Sequence, residues 1–341
     1  MSMNMPTAVA RRYCVLVLLF AVAACGGGGG GGSSAPATPP SKVFVTDEGN
    51  SAIGSLINPN PSPGTFGVDR IVVGSNTTFL PAPCTGCIRS IALDAAGDRL
   101  YVAVNSHVLV FNQISTANGN ASPARSISSG LVFSEYLALD TTNDVLYVGD
   151  GIHGVGAYAG ASGLNGPATA ARTLAENIPD LANQFMYGIA VDVGRDMLYV
   201  ANLDSSKVTN TINVFTASTA NSSTTPDRTI SLPYSSTIRI FLDAANDRLY
   251  VAGPAGGISV YDSAHSLSGP VASATRTITL PFAAQFALFV DATNDRLYAV
   301  AANRGFIVNG ASTATDPVTA TSVTVLTTAN AIQMSAVAVA P

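Results

Sequence analysis

Aspartate is the residue whose type and spacing most suggest chemistry in this chain. Paired carboxylates can serve as the general acid and general base of a hydrolytic reaction. A catalytic pair is needed only once in a protein, whereas a turn-forming residue is needed in every copy of a repeat, so we expect these aspartates to shape turns. They occupy two positions that recur five times: Asp94, Asp140, Asp192, Asp243 and Asp291 at the first, and Asp98, Asp144, Asp196, Asp247 and Asp295 at the second.

Arginine also recurs, at the start of a short Arg-Ser/Thr-apolar segment. Because this arginine is repeated as well, we expect it to make ion pairs or packing contacts between neighbouring repeats rather than to act in catalysis. The four copies are Arg125, Arg172, Arg228 and Arg276.

Two of the four cysteines, Cys84 and Cys87, form a Cys-Thr-Gly-Cys segment. A haem-attachment motif would need a histidine directly after the second cysteine, and Ile88 stands there instead. A structural zinc site would need further ligands, and the chain has no second cysteine pair. Residues 1–24 resemble a signal peptide, and in an exported protein a local disulfide between Cys84 and Cys87 is expected. A redox-active pair is the alternative.

Two of the three histidines, His107 and His153, each follow the tyrosine of their own repeat by six residues. They therefore occupy equivalent positions in adjacent repeats and could begin a metal site or act as acid and base. The plainer interpretation is that both are solvent-exposed histidines at hairpin tips. The third, His265, lies in a polar connection and is expected to be exposed.

A repeated unit must position all of these residues. Five segments align directly: Ile91 to Val102, Leu137 to Val148, Ile189 to Val200, Ile240 to Val251 and Leu288 to Ala299. Each reads as an apolar strand ending at an aspartate, a tight turn, and a returning Leu-Tyr-Val or Leu-Tyr-Ala strand. The tyrosines are 46, 52, 51 and 48 residues apart, which is the period range of β-propeller blades.

Two further strands complete each unit, one exemplified by Val108 to Phe111 and one by the arginine segments, so each repeat predicts a four-stranded antiparallel blade. Near the beginning, Val43-Phe44-Val45 matches a second strand with no first strand before it. Near the end, Ala336 to Val339 matches a first strand with nothing after it. We therefore predict an all-β, six-bladed β-propeller that is closed by pairing of the C-terminal strand with the N-terminal blade, which removes open sheet edges.

These repeats resemble those of the NHL-type and YVTN-type bacterial β-propellers, whose units run apolar-Val-Asp, turn, Leu-Tyr-Val-Ala and then Val-x-Val-Phe/Tyr. The resemblance covers Lys42 to Pro341. It is specific for fold and uninformative for function, because these families include binding proteins, scaffolds and several types of enzyme.

In propellers, ligands usually meet the face formed by the loops between second and third strands and by the connections between blades. On that face we expect Asp47, Glu48, Asn50, Arg89, Asn105, His107, Glu135, Asp150, His153, Gln184, Tyr187, Asn202, Asp204, Arg239, Gln285, Arg304 and Gln333. The narrower set of candidate channel-mouth residues is Asp47, Glu48, His107, Glu135, Asp150, His153, Asn202 and Arg304. Aromatic residues and a methionine in the same connections either pack between blades or line a recognition surface for a sugar, peptide or partner protein. They are Phe133, Tyr136, Phe185, Met186, Tyr187, Tyr234, Phe282 and Phe286.

Calcium-dependent propeller lactonases need carboxylate and amide oxygens that converge at the channel mouth. Asp47, Glu48, Asp150 and Asn202 could contribute to such a site, which makes a lactonase- or lyase-type enzyme the alternative function. The residues that break the repeat pattern are scattered, however, and no Ser-His-Asp order, phosphate loop or dinucleotide fingerprint is present. We therefore predict a non-catalytic binding or scaffold protein with no metal and no cofactor.

The first 41 residues are predicted to direct export and membrane attachment rather than to form part of the propeller. Arg11 and Arg12 precede an apolar stretch, Cys14 to Val22, as in a secretory signal peptide. The following Val22-Ala23-Ala24-Cys25 resembles the bacterial lipobox, which implies cleavage before Cys25 and attachment of acyl chains to it. The chain is thus divided into a signal peptide (1–24), a lipidated cysteine with a Gly/Ser/Pro tether (25–41) and the propeller (42–341).

The residue after Cys25 indicates which membrane holds the anchor, and the composition indicates which classes of partner the protein binds. Gly26 is not the aspartate that retains many lipoproteins at the inner membrane, so we expect an outer-membrane anchor. A net charge of −5, a pI near 5.0 and the absence of any basic run argue against nucleic-acid binding. The expected partners are the membrane, through the lipid, and a protein, peptide or glycan at the propeller face.

Overall fold

The structure is a computed structural model. It describes residues 42–47, 52–57, 70–72, 88–119, 121–128, 130, 134–150, 154–174, 184–204, 209–233, 238–253, 257–270, 273–280, 287–301, 304–315, 323–327 and 334–340. The signal peptide, Cys25, the tether, Cys84 and Cys87 lie outside the described residues. Among the described residues, no helix is both long and apolar enough to span a bilayer.

The described chain is all-β and has a β-propeller arrangement, and five of its antiparallel sheets each form one blade from a continuous segment. Blade 1 contains β4 (Ile88–Asp94), β5 (Arg99–Val104), β6 (His107–Asn112) and β7 (Arg125–Ser128). Blade 2 contains β8 (Tyr136–Asp140), β9 (Val145–Asp150), β10 (Gly154–Ala159) and β12 (Arg172–Leu174). Blade 3 contains β13 (Gln184–Asp192), β14 (Met197–Asp204), β15 (Thr209–Thr216) and β16 (Arg228–Leu232).

The remaining two blades repeat this plan. Blade 4 contains β17 (Arg239–Asp243), β18 (Arg248–Ala252), β19 (Gly257–Asp262) and β21 (Arg276–Thr279). Blade 5 contains β22 (Ala287–Asp291), β23 (Arg296–Ala301), β24 (Arg304–Asn309) and β25 (Val323–Thr327). A short 3₁₀ helix, Ala264–Ser266, follows β19.

A further sheet, which we call the terminal sheet, combines both ends of the described chain. Its order is β26 (Met334–Ala340), β1 (Lys42–Asp47), β2 (Ala52–Ile57) and β3 (Arg70–Val72). β26 and β1 are antiparallel, with Val43 opposite Val339 and Val45 opposite Val337. These are the segments that the repeat pattern predicted to pair.

The core lies between neighbouring sheets because each blade is apolar on both of its faces. Between blades 1 and 2, for example, Tyr101 and Val110 pack with Leu146 and Tyr158. The repeat tyrosine is almost fully buried in every blade, as at Tyr199 and Tyr250. Burial of one such side chain is worth about 1.5–3 kcal/mol, so these interfaces dominate the stability of the fold.

Two outer edges are covered by short strands that the next blade contributes. β11 (Gly166–Pro167), from the connection between β10 and β12, pairs in parallel with β7 of blade 1. β20 (Gly269–Pro270), from the connection between β19 and β21, pairs in the same way with β16 of blade 3. Asn165 adds to the first cover, because its Oδ1 accepts the N–H of Ser126 at 3.2 Å.

The first recurring aspartate closes the turn between the first and second strands, as predicted. In blade 2, Oδ1 of the buried Asp140 accepts the N–H groups of Thr142 at 3.0 Å and Asn143 at 2.8 Å, and Oδ2 accepts Asn143 Nδ2 at 2.7 Å. Asp243 and Asp291 do the same with the asparagines of their turns. In blade 3 Arg195 occupies the asparagine's position, and its Nη1 lies 2.8 Å from Asp192. In blade 1 that position is Gly97, and Arg99 at the start of the second strand contacts the aspartate instead, with Nη2 2.6 Å from Asp94.

The second recurring aspartate joins this turn to the end of the third strand, and it is the left-handed residue of the turn. Asp144, for example, has φ 54°. Its carbonyl accepts the N–H of Ala161, and its carboxylate accepts both the N–H and the hydroxyl of Ser162, at 2.7 and 2.8 Å. The same arrangement occurs at Asp98, Asp196, Asp247 and Asp295. The structural interpretation of the aspartates is therefore confirmed.

The recurring arginines join neighbouring blades, as expected, but their acceptors are backbone carbonyls rather than carboxylates. Arg172 of blade 2 donates from Nη1 to the carbonyl oxygens of Ala217 at 2.6 Å and Ala220 at 3.1 Å in blade 3. The turn after the third strand therefore receives the previous blade's arginine. The other pairs are Arg125 with Ala161 and Leu164, Arg228 with His265 and Leu267, and Arg276 with Ala311 and Ala314.

We expect the substitution Arg172→Met to lower the free energy of unfolding by about 1.5 kcal/mol, because a charged donor to two carbonyls is lost while the apolar stem is kept. Urea denaturation followed by circular dichroism measures this change. Arg172→Lys, which retains one charged donor, is the matched control and should lose less. Equal stability of Arg172→Met and the unsubstituted protein would contradict a role in joining the blades.

Blade 4 differs from the other blades because His265 occupies the position at which they have a serine: Ser115, Ser162, Ser218 or Ser312. His265 is exposed, as predicted, and its N–H and Nδ1 lie 2.9 and 2.5 Å from the two carboxylate oxygens of Asp247. Burial acts to raise the pKa of Asp247, but the hydrogen bonds and charge of His265, with a smaller effect of Arg195, outweigh it. The pKa of Asp247 is therefore lowered.

This lowered pKa predicts a pH dependence of stability. The unfolded carboxyl titrates near 3.8, and the folded value lies below that, so ionised Asp247 contributes fully above the unfolded value and loses its contribution as the pH falls through the folded value. The difference in urea midpoint between the unsubstituted protein and Asp247→Asn should therefore shrink below about pH 3.8. A difference that grew with acidification would contradict the assigned direction.

Candidate binding site at the channel mouth

The innermost strands line a cavity of about 310 Å³. Its lining comes from β4, β8, β13, β17, β22 and β26, that is, from every blade and from the terminal sheet. The starts of the inner strands lie together at one end, which we call the mouth. There the hydroxyl of Ser90 accepts the N–H of Leu137 at 3.2 Å, linking β4 to β8.

Arg239 lies at the mouth, at the start of β17. Its guanidinium carbon lies 5.3 Å from the ring centroid of Tyr136 and 5.9 Å from that of Tyr187, within the range of cation–π attraction. Its Nη1 also donates to the carbonyl oxygens of Tyr187 at 3.3 Å and Ile238 at 3.1 Å. Residues from three blades thus hold one guanidinium group in place.

The electrostatic surroundings of Tyr136 identify the other charges at the mouth. Burial is the main reason that the pKa of Tyr136 is raised above its usual range. Arg239 and Arg89 act in the opposite direction, whereas Glu135 reinforces the increase. The phenol of Tyr136 is therefore protonated at neutral pH, beside two arginines and one glutamate. Arg89 is exposed and makes no ion pair within the described part of the chain.

Below the mouth the cavity walls are apolar. Leu93, Leu139 and Leu242 line the cavity and are only partly buried, so apolar surface faces the open space. Phe241 and Phe289, from adjacent blades, lie with ring centroids 4.9 Å apart at an interplanar angle of 53°. The site therefore combines a cationic, aromatic entrance with an aliphatic and aromatic interior.

Two predicted channel-mouth residues, Asp150 and Asn202, lie within the blades. They are 0% and 2% exposed and do not line the cavity, because they belong to second strands, one strand away from the channel. The amide of Asn202 donates to the carbonyl of Val200 at 3.2 Å. The structure does not bring these two residues to the mouth.

The other candidates are divided among several positions. Glu135 precedes Tyr136 at the mouth, where its N–H donates to the carbonyl of Gly149 at 2.9 Å. His107 begins the third strand of blade 1, and its Nδ1 lies 3.2 Å from the Ser106 hydroxyl. Asp47 and Arg304 lie at a strand end and a strand start, and their side chains are outside the described set.

Glu48, His153, Cys84 and Cys87 lie outside the described residues, so the histidine pair and the disulfide remain predictions. The alternative of a calcium site stays untested at Glu48 and at the side chain of Asp47, which are not described, whereas Asp150 and Asn202 do not line the cavity. Within the ranges that the structure describes, no three His, Cys, Asp or Glu side chains are grouped as metal ligands.

The narrower predicted set omitted Arg89 and Arg239, although the wider set contained both. The sequence does carry a pattern that identifies Arg239. The position directly before each apolar-apolar-apolar-Asp repeat varies while the repeat itself hardly changes. Its residues are Ser90, Tyr136, Gly188, Arg239 and Ala287, and all five line the cavity.

Comparison with known proteins gives no independent assignment. No protein-family model matches the chain, and no curated protein is significantly similar to it. The functional conclusion therefore depends on the geometry of the mouth and on the sequence features described above.

Proposed function

We propose that this chain is a lipid-anchored cell-envelope protein whose β-propeller is a non-catalytic binding or scaffold module. The observation that carries the binding role is the arrangement of Arg239 against Tyr136 and Tyr187. Arginine and tyrosine are the residue types that most often dominate recognition surfaces, and here they are held in fixed positions from three blades. The recurring aspartates and arginines have structural partners, which leaves the variable mouth residues to carry recognition.

We also propose that the terminal sheet is the sixth blade of a closed ring. Strand β26 contacts β4 of blade 1 on one side and β22 of blade 5 on the other, which supports this count. Hydrophobic clusters extend across both junctions: Val43 packs with Tyr298, and Phe44 packs with Ile91. A closed ring would leave no inner strand with an unpartnered face, in keeping with the resemblance to NHL-type and YVTN-type propellers.

The location is proposed from the sequence. The lipobox-like Val22-Ala23-Ala24-Cys25 and the glycine-rich tether support an anchor at Cys25, and Gly26 supports the outer membrane. The net charge of −5 and the absence of any basic run support a protein, peptide or glycan as the recognised partner rather than a nucleic acid.

The anchor predicts a specific loss. The substitution Cys25→Ala should move the protein from the membrane fraction to the soluble fraction and abolish incorporation of labelled palmitate, because several acyl chains are needed for stable attachment. Cell fractionation with radiolabelling measures both effects, and Cys14→Ala is the matched control. Unchanged membrane association of Cys25→Ala would contradict the lipid anchor.

The binding role is tested by photo-crosslinking of the full-length protein in intact cells. A photoreactive amino acid replaces Glu135 at the mouth or, as control, the exposed Ala245 in the turn that follows Asp243. We expect a defined adduct from position 135 that is lost when Arg239→Gln is added, and none from position 245. Equal adducts from both positions, or none from the mouth, would reject the mouth as the binding surface.

A further inference from the structure

We infer that the channel binds a small amphiphilic carboxylate, with the carboxylate at the arginines of the mouth and the apolar tail inside the cavity. This inference rests on the proposed function, because it takes the same mouth as the recognition surface. It adds a ligand class that neither the repeat pattern nor the fold predicts.

The volume of the cavity and the apolar side chains below its mouth can accommodate a tail. Pockets for small molecules usually measure about 300–1,000 Å³, and the cavity of about 310 Å³ lies at the lower end of that range. Leu93, Leu139, Leu242 and the Phe241–Phe289 pair supply apolar walls. A five-residue inner strand such as β8 spans roughly 13–17 Å, which suits a single extended hydrocarbon chain.

The charges at the mouth indicate the head group. Arg89 is exposed and lines the cavity, and Arg239, which also lines it, is held by the two tyrosines. Planar guanidinium groups match the two oxygens of a carboxylate, which makes arginine well suited to this head group. Glu135 lies at the same mouth and offsets one of the two positive charges, so a monoanion fits better than a polyanion.

Tyr136 supports the same assignment. Its pKa is raised chiefly by burial, so its phenol stays protonated and offers a hydrogen-bond donor rather than a negative charge. The Arg239 guanidinium on its ring face limits the freedom of both groups. A carboxylate would therefore meet donors whose positions are set before it binds, which lowers the entropic cost of binding.

The experiment uses the full-length lipidated protein in nanodiscs and decanoate labelled with ¹³C at the carboxylate, observed by NMR, with empty nanodiscs as the baseline. We expect saturable binding of one decanoate per protein. Decanol should bind about tenfold more weakly because it lacks the charge, and decyltrimethylammonium should show no saturable binding. Absence of saturable binding above the empty-nanodisc baseline would overturn the inference.

Variants locate the site. Arg89→Gln and Arg239→Gln should each weaken decanoate binding by about tenfold, and Ala287→Phe should weaken it by filling the cavity. Arg248→Gln removes the same charge at the start of a second strand, away from the cavity lining, and should leave binding within twofold. Because Arg89 is exposed, its replacement keeps the test valid even if Arg239→Gln disturbs the fold. Equal binding by Arg89→Gln and Arg248→Gln would refute the assigned head-group site.

The outcome is separable from that of the proposed function. If decanoate fails to bind while position 135 still gives an adduct that depends on Arg239, the amphiphile inference is wrong and the binding module stands. If both experiments fail, the proposed function is wrong as well.

Discussion

Deleting residues 335–341 is expected to abolish the cooperative unfolding transition of the propeller. The deletion removes nearly all of β26, whose Val337, Ala338 and Val339 are at most 6% exposed and which pairs with β1. It also removes a strand that contacts both β22 and β4. The lost burial and strand pairing cost more than about 5 kcal/mol, comparable with the whole stability of an ordinary domain of about 5–15 kcal/mol.

Thermal unfolding followed by circular dichroism measures this effect. Removal of Pro341 alone is the control and should leave the transition unchanged. A synthetic peptide of residues 334–341, added in excess, should restore part of the transition to the truncated chain, because it can pair with β1. A truncated protein that unfolds cooperatively, within about 1 kcal/mol of the full chain, would contradict ring closure through β26.

Asp140→Ala is expected to lower the free energy of unfolding by about 2–4 kcal/mol. Asp140 is 4% exposed, and its carboxylate accepts three hydrogen bonds, two of them from the N–H groups of Thr142 and Asn143. Alanine leaves those two N–H donors without their acceptor. The turn also contains Asp144, directly after Asn143, whose backbone is in the left-handed region.

Urea denaturation measures the loss, and Thr141→Ala, an exposed neighbour in the same turn, is the matched control, expected within about 0.5 kcal/mol of the unsubstituted protein. Asp140→Asn keeps one side-chain oxygen for the turn and should fall between the two. If Asp140→Ala were as stable as Thr141→Ala, the aspartate would have no structural role, and the case for a catalytic role would reopen.

The strands could be predicted from the sequence because each repeat combines alternating apolar residues with turn residues at fixed positions. The roles of Asp140 and Asp144 followed from recurrence alone, since only a structural need is repeated in every blade. The acceptors of Arg172 could not be predicted in the same way. They are backbone carbonyls in the next blade, and a carbonyl has no signature in a sequence.

The mouth was harder to predict than the blades. Asp150 and Asn202 are polar residues near strand ends, which suggested exposure, yet both are buried because second strands do not face the channel. Arg239 was the more informative residue, since it occupies a position that varies between repeats while its surroundings stay nearly constant. Which variable positions meet at one point depends on how the blades are arranged around the channel, and that arrangement is a property of the fold rather than of any single repeat.

Strands β11 and β20, which pair in parallel with β7 and β16, affect how closely copies of the protein can pack on a membrane. A protein tethered by a lipid, as we propose, meets its own copies in two dimensions, where the local concentration far exceeds that in solution. Pro167 and Pro270 have no N–H to donate, so the covered edges of blades 1 and 3 end in segments that make poor templates for another strand. Dense packing on a membrane is thereby possible without edge-to-edge association at these two blades.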